Sequence, residues 1–277
     1  MPTVAELLSD ASTGPGESAR RDAEILLCHC LKKSRTWLYT WPESIVLVAQ
    51  AEHFLSLVAS RRAGVPVAYL LGRREFWTLN LLVNEHTLIP RPETETLVEW
   101  ALSLPLPSNA GVLDLGTGCG AIALALASER SGWQVVGVDA SEKALQVAVA
   151  NSIEYTIANT CFFASNWYQG VAGQGFDLLV SNPPYVEGGD SHLSQGDVRF
   201  EPVSALVAAE QGLADLRALV SDAPEHLHSG GWLLLEHGFD QGEAVRALLH
   251  QRGFTQVETR LDLAGLERIS GGQWHAE

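Results

Sequence analysis

Two different periods of hydrophobic positions divide the chain. Up to about residue 72 apolar residues recur at helical spacing, as in Ala23-Glu24-Ile25-Leu26-Leu27-Cys28 and again from Ile45 to Leu57. Breaks fall at Gly14-Pro15-Gly16, Trp41-Pro42 and Gly64-Val65-Pro66. This spacing predicts a small all-helical domain over residues 1–72. Arg74 to Val83 then alternates aromatic and branched residues, which predicts a short hairpin, and residues 73–90 are assigned as a linker. Pro92 suits the first turn of a helix, and Glu93 and Glu95 complement the positive end of its dipole ahead of Leu97, Val98 and Trp100.

From residue 111 short apolar runs alternate with helical patterns. Strands are predicted at Gly111–Leu115, Gln134–Val138, Thr160–Phe163, Phe176–Val180, Trp232–Glu236, Thr255–Arg260 and Arg268–Gly271. Helices are predicted at Ala121–Glu129, Glu142–Ala150, Leu213–Leu227 and Gly242–Leu249. That is the pattern of an α/β domain over residues 91–277, a mostly parallel sheet covered by helices on both faces. Ligands in such sheets bind beyond the carboxyl ends of the strands, near the switch point. No internal repeat or low-complexity tract interrupts it.

Composition narrows the setting. With 277 residues and 46% hydrophobic content the chain can bury an ample core. Its start lacks the basic and apolar regions of a signal peptide, and no apolar run is long enough to span a bilayer, so a cytoplasmic location and no membrane partner are expected. Cys28, Cys30, Cys119 and Cys161 form no Cys-x-x-Cys pair and are expected as reduced core thiols; the His residues show no ligand spacing, so no metal is expected. Of the net charge of −15, none belongs to residues 1–90, which hold nine basic and nine acidic residues; the remaining nine and twenty-four lie beyond. So acidic a domain disfavours a nucleic-acid partner.

Three motifs carry candidate chemistry. Val112-Leu113-Asp114-Leu115 runs into Gly116-Thr117-Gly118-Cys119-Gly120, a glycine turn opening a helix, where backbone can approach a ligand closely. Its spacing is one residue tighter than the dinucleotide fingerprint, which argues against a nicotinamide dehydrogenase. Asp139 ends the next strand, where a carboxylate can accept from both ribose hydroxyls of an adenosine ligand or else cap the following helix. Asn182-Pro183-Pro184-Tyr185 follows the fourth strand; the prolines stiffen it, Asn182 and the proline carbonyls are acceptors, and Tyr185 adds an aromatic face. Such a loop can grip an amide or amino nitrogen.

The glycine turn and Asp139 resemble the first two motifs of class I S-adenosylmethionine methyltransferases, and Asn182–Tyr185 resembles their amino-methylating tetrapeptide. Gly64–Trp77, Leu88–Glu95, Arg199-Phe200-Glu201-Pro202 and Leu234-Leu235-Glu236-His237-Gly238 narrow the match, over essentially the whole chain, to the protein-(glutamine-N5) methyltransferases that modify peptide chain release factors. The resemblance implies a Rossmann-like class I domain with a seven-stranded, mostly parallel sheet and a helical substrate-recognition domain. It implies S-adenosylmethionine as cofactor, held by Gly116, Thr117, Gly118, Cys119, Gly120, Asp139, Trp167 and Asn182. Release factors are the implied protein substrate, with the target glutamine in Gly-Gly-Gln met by Asn182, Pro183, Pro184 and Tyr185. A monomer is expected. The sequence departs from the family pattern at Asn166, where Asp is common, so the adenine contact there lacks charge assistance.

A glutamine amide is a poor nucleophile because its lone pair is delocalised. Asn182 and the Pro183 carbonyl would accept its two hydrogens and Tyr185 would pack on the amide plane. Glu201 and Glu236 are further polar candidates or structural hydrogen-bond partners, and His237 is not assigned as a base. The alternatives are methylation of a nucleobase amine and a non-catalytic protein that binds release factors. The chain's own Gly271-Gly272-Gln273 is read as a chance match on an edge strand.

Overall fold

The computed structural model describes residues 1–12 and 18–276. The expected break at Gly14-Pro15-Gly16 lies outside them. The chain divides into two compact units, Met1–Arg73 with Gln195–Phe200, and Arg74–Ser194 with Glu201–Glu277. Gln195–Phe200, which the sequence places within the α/β domain, is thus part of the first unit.

The first unit is helical: Val4–Ala11, Ala19–Leu31, Arg35–Thr40, Val48–Arg62 and Val67–Leu71. Thr3 and Glu6 form a capping box at the first helix, each side chain bonding the other's backbone N–H. The helix expected from Ile45 starts only at Val48, because Ile45 bridges to Thr3 and the Val46 N–H donates to the Pro2 carbonyl. The helix Arg35–Thr40, too short to show a period, starts on the Ser34 hydroxyl, which accepts the Trp37 N–H at 3.2 Å. Leu7, Leu26, Leu27, Leu38, Phe54 and Val58 form the core. Glu24 is buried beside it and receives hydrogen bonds from Arg20, Arg35 and Tyr39. Burial pushes its carboxyl up, but the hydrogen bonds from Tyr39, Arg35 and Arg20 prevail and hold it below the ordinary range.

The second unit holds a seven-stranded sheet. In chain order its strands are β1 (Gly111–Leu115), β2 (Gln134–Asp139), β3 (Thr160–Ala164), β4 (Phe176–Ser181), β5 (Leu227–Glu236), β6 (Thr255–Leu261) and β7 (Glu267–Gln273). They lie in the order β6-β7-β5-β4-β1-β2-β3, and β7 alone runs against the rest. The chain leaves β1 towards β2 and β3, then returns to build β4 and β5 on the other side. The gap beyond the ends of β1 and β4 is therefore the switch point. The helix Ala121–Glu129 is buried throughout Ala121–Ala127, as its nearly uninterrupted apolar run requires.

Local departures from the expected elements have local causes. The predicted helix Leu213–Leu227 is Ala214–Asp222 followed by a 3₁₀ turn at Ala223–Glu225, where Pro224 removes a donor. β5 starts at Leu227, earlier than predicted, because its register shifts across Gly230-Gly231 and masks the alternation. Cys161 is exposed on edge strand β3, not in the core; all four thiols are free. Among the described residues no helix is long and apolar enough to cross a membrane, and no group of three or more His, Cys, Asp or Glu is placed to hold a metal.

Candidate active site

A cleft of about 490 Å³ opens at the switch point of the second unit. Gly116, Thr117, Gly118, Cys119, Asp139, Asn166, Trp167, Asn182 and Pro184 line it; Gly120, Pro183 and Tyr185 do not. Residues scattered through three strand ends and a 3₁₀ turn are thus brought to one cavity, because parallel strands all end on the same edge.

The glycine turn is tied down on one side and open on the other. The N–H groups of Gly116 and Thr117 both donate to the Val138 carbonyl at 2.9 Å. Gly118 sits at φ +58° and faces open space where a Cβ would stand, the close backbone approach a ligand needs. Gly120, at φ +86°, has a packing role: a Cβ there would stand 3.0 Å from Leu124 and 3.2 Å from Ala148. Beneath the turn, the fully buried Asp114 accepts from the Thr117 hydroxyl at 2.6 Å and the Ala123 N–H at 3.2 Å through Oδ2, while its Oδ1 has no partner. Burial raises its pKa to about 7. The Cys119 thiol is pushed up by burial to about 12, so it is an inert wall.

Asp139 is not the helix cap. Ser141 holds that position, accepting the Ala144 N–H at 3.2 Å. Asp139 instead spans the site, accepting the Gly118 N–H through Oδ2 at 2.9 Å and the Ser141 N–H through Oδ1 at 2.8 Å. Each oxygen keeps a lone pair for a ligand hydroxyl. Trp167, held at φ +48°, sets its ring beside Gly116. Asp215 lines the cleft, and burial raises its pKa while Trp167 opposes the rise.

The tetrapeptide is gripped at both ends. The Asn182 side-chain N–H donates to the Thr94 hydroxyl at 3.3 Å, which leaves its carbonyl facing away as a free acceptor. The Tyr185 hydroxyl donates to Glu236 Oε1 at 3.3 Å, and its backbone carbonyl accepts from Gln241 Nε2 at 3.0 Å. The Tyr185 ring is half-buried and packs against the core of the unit. Burial and the neighbouring Glu236 push the Tyr185 hydroxyl far up, so it stays a donor.

Other sequence candidates fall to structural roles. Glu201 accepts the Ile89 N–H at 3.0 Å and pairs with Arg91, clasping two segments of the cleft rim. Both His237 ring nitrogens are engaged, with the Gly238 carbonyl and the Ser270 hydroxyl, each at 2.8 Å, so neither is open to a substrate. Gln273 pairs with Trp232, midway along β5, and its side-chain nitrogen donates to the Gly230 carbonyl at 2.8 Å. Its tripeptide lies on β7, an inner strand and not the edge strand expected. Thr94, Asp114 and Asp215 were not singled out by motif reasoning. Thr94 does lie in the Leu88–Glu95 segment of the family resemblance, and a polar residue inside an otherwise apolar strand could have flagged Asp114.

Comparison with known proteins gives a consistent result. Residues 4–72 match the PrmC N-terminal domain family and residues 94–200 the Methyltransferase small domain family. The chain is 53% identical over 274 residues to the release factor glutamine methyltransferase of Pseudomonas aeruginosa, covering 99% of each chain. It is 52% identical over 258 residues to that of Shewanella oneidensis, covering 93% of this chain and 90% of that one. A methyltransferase structure from Pyrococcus furiosus shares the fold at TM-score 0.55 and 19% identity, covering 83% of this chain and 100% of its own.

Proposed function

Because the chain belongs to the release factor glutamine methyltransferase family, we propose that it methylates the side-chain amide nitrogen of the glutamine in the Gly-Gly-Gln motif of peptide chain release factors, tuning translation termination. The observation that carries this reading is Asn182, whose nitrogen is taken by Thr94 while its carbonyl is left for a donor in the cleft. An amide NH₂ group is such a donor.

S-adenosylmethionine, when bound, supplies an electrophilic methyl group on a sulfonium. The backbone of Gly116–Gly118 would lie close against such a ligand, Asp139 would accept from its ribose hydroxyls, and Trp167 and Asn166, which line the same cleft, would border its adenine. The glutamine nitrogen would take the methyl group as the sulfonium becomes a neutral thioether, and the extra proton on the methylated nitrogen would then pass to water. Asn182 would accept one of its hydrogens in the cleft and help to aim the lone pair, so rate would be gained by positioning and fixed dipoles. Tyr185 anchors the loop. The helical unit recognises the folded release factor, since partner choice needs area. The protein works as a cytoplasmic monomer on protein, without nucleic acid.

Labelled methyl transfer to purified release factors, with the tripeptide glutamine substituted as control, tests this. Asn182→Ala should cost about 3 kcal/mol of transition-state stabilisation, on the order of 100-fold in turnover. Transfer to naked nucleic acid with release factors unmodified, or cofactor binding with no transfer, would overturn it.

A further inference from the structure

Two turns at the carboxyl edge of the sheet carry large apolar side chains outwards. Residues 238–241 follow β5 and hold Phe239, which is 60% exposed; residues 262–266 join β6 to β7 and hold Leu263, fully exposed, with Leu261 and Leu266 exposed on either side. β5 and β6 run in the same direction as β4, so both turns lie on the edge where the tetrapeptide lies.

Neither turn is loose. The buried Asp262 accepts the Ala264 and Leu266 N–H groups through Oδ1 at 2.9 and 3.0 Å and pairs with Arg268 through Oδ2 at 3.2 Å, while its own N–H donates to the Leu266 carbonyl at 2.9 Å. In the other turn Gln241 accepts the Gly238 N–H at 2.8 Å and donates to the Tyr185 carbonyl at 3.0 Å. The His237 N–H donates to the Arg268 carbonyl at 2.9 Å, which ties the two turns together. Phe239 and Leu263 therefore stand on one hydrogen-bonded frame that includes the tetrapeptide. A single exposed apolar side chain needs no explanation, but two on a rigid frame beside a site do.

We propose that Phe239 and Leu263 form a docking surface for the folded domain that carries the target glutamine. The inference rests on the function proposed above and adds a protein contact on the α/β unit to the one assigned to the helical unit. A specific protein interface buries about 800 Å² per partner, more than one glutamine side chain in a cleft supplies. A domain that sets its glutamine beside Asn182 must lay the surrounding surface on this edge, and apolar anchors already held in place lose little entropy on binding. Asp240 and Glu243, both exposed, follow Phe239, so the partner surface is apolar with basic side chains at its border.

Phe239→Ser with Leu263→Ser should raise the KM for a purified release factor roughly tenfold, and each change alone about threefold. Turnover at saturation, the cofactor Kd and the melting temperature should stay close to wild type. Phe239→Leu with Leu263→Met should recover most of the loss. Ile153→Ser is the control: Ile153 is 73% exposed on the helix Glu142–Glu154, which starts beside the cleft and so ends towards the opposite edge, and its KM should stay within about twofold of wild type.

A double serine variant whose KM matches wild type overturns the inference, and so does one that loses turnover or cofactor affinity in place of KM. An equal rise in KM for Ile153→Ser also overturns it, and sedimentation showing that the two side chains join copies of this chain, with KM unmoved, names the other occupant. If the wild type methylates release factors and only the expected KM change is missing, this inference alone fails; if the wild type transfers no methyl to them, the proposed function fails and this inference with it.

Discussion

Each unit buries carboxylates, and Glu24 in the helical unit differs from two of those in the α/β unit. In the helical unit Glu24 receives hydrogen bonds from Arg20, Arg35 and Tyr39 and sits below the ordinary pKa range. In the α/β unit Asp114 and Glu236 each keep one buried oxygen unpartnered, and burial lifts both to about 7. Full satisfaction stabilises a fold; partial satisfaction under a cleft is retained where geometry serves a ligand. Burial alone does not leave an acid half-satisfied, for the α/β unit also buries Glu201 and pairs it with Arg91 and the Ile89 N–H.

The comparison can be broken most directly at Asp139. Asp139→Ala should weaken S-adenosylmethionine binding by about 3 kcal/mol, the loss of charge-assisted hydrogen bonds, and leave the melting temperature within a few degrees; calorimetry checks both. Glu24→Ala should do the reverse, costing about 2 kcal/mol of stability in urea unfolding, since its Arg partners reach solvent and are not left buried. Equal cofactor affinity in that variant is expected, and a matching loss of affinity would erase the distinction drawn between the units.

Gly118→Ala should cost about 1–2 kcal/mol through its left-handed backbone, and more in cofactor affinity than in stability because its Cβ enters open space. The pH signatures should also differ in sign. Glu24 contributes stability above the ordinary carboxylate range and loses it as pH falls below. Asp114 and Glu236 hold their protons more tightly when folded, so their contribution is full at low pH and is lost as pH rises through about 7. Asp114→Asn should flatten that decline, measured as unfolding midpoint between pH 5 and pH 8. The smallest effect is expected at Gln273: Gln273→Ala should cost about 1 kcal/mol for its bond to Gly230, and intact-mass analysis of the wild type with cofactor should show no added methyl there.

Motif reasoning reached the elements whose signals are local. The glycine turn, Asp139 and Asn182–Tyr185 each sit at a strand end, and strand order with helical crossovers is enough to bring such ends to one edge. It did not reach the helix start at Val48 or the early start of β5, because pairing of Ile45 with Thr3 and a shift across Gly230-Gly231 override the local pattern. Nor does the local pattern show that Gly120 and Tyr185, which stand beside cleft residues in sequence, pack against Leu124, Ala148 and the core.

The amino-acid sequence by itself determined the fold class and the family, because periodicity and short rigid motifs are written in neighbouring positions. Only the tertiary structure decided which side chains hold the tetrapeptide. Thr94 and Asn182 lie 88 residues apart and Tyr185 and Glu236 lie 51 apart. A hydrogen bond between side chains so distant in the chain has no sequence period. It exists because the sheet places the ends of β4 and β5 side by side, and because removing water there makes each unpaired oxygen count.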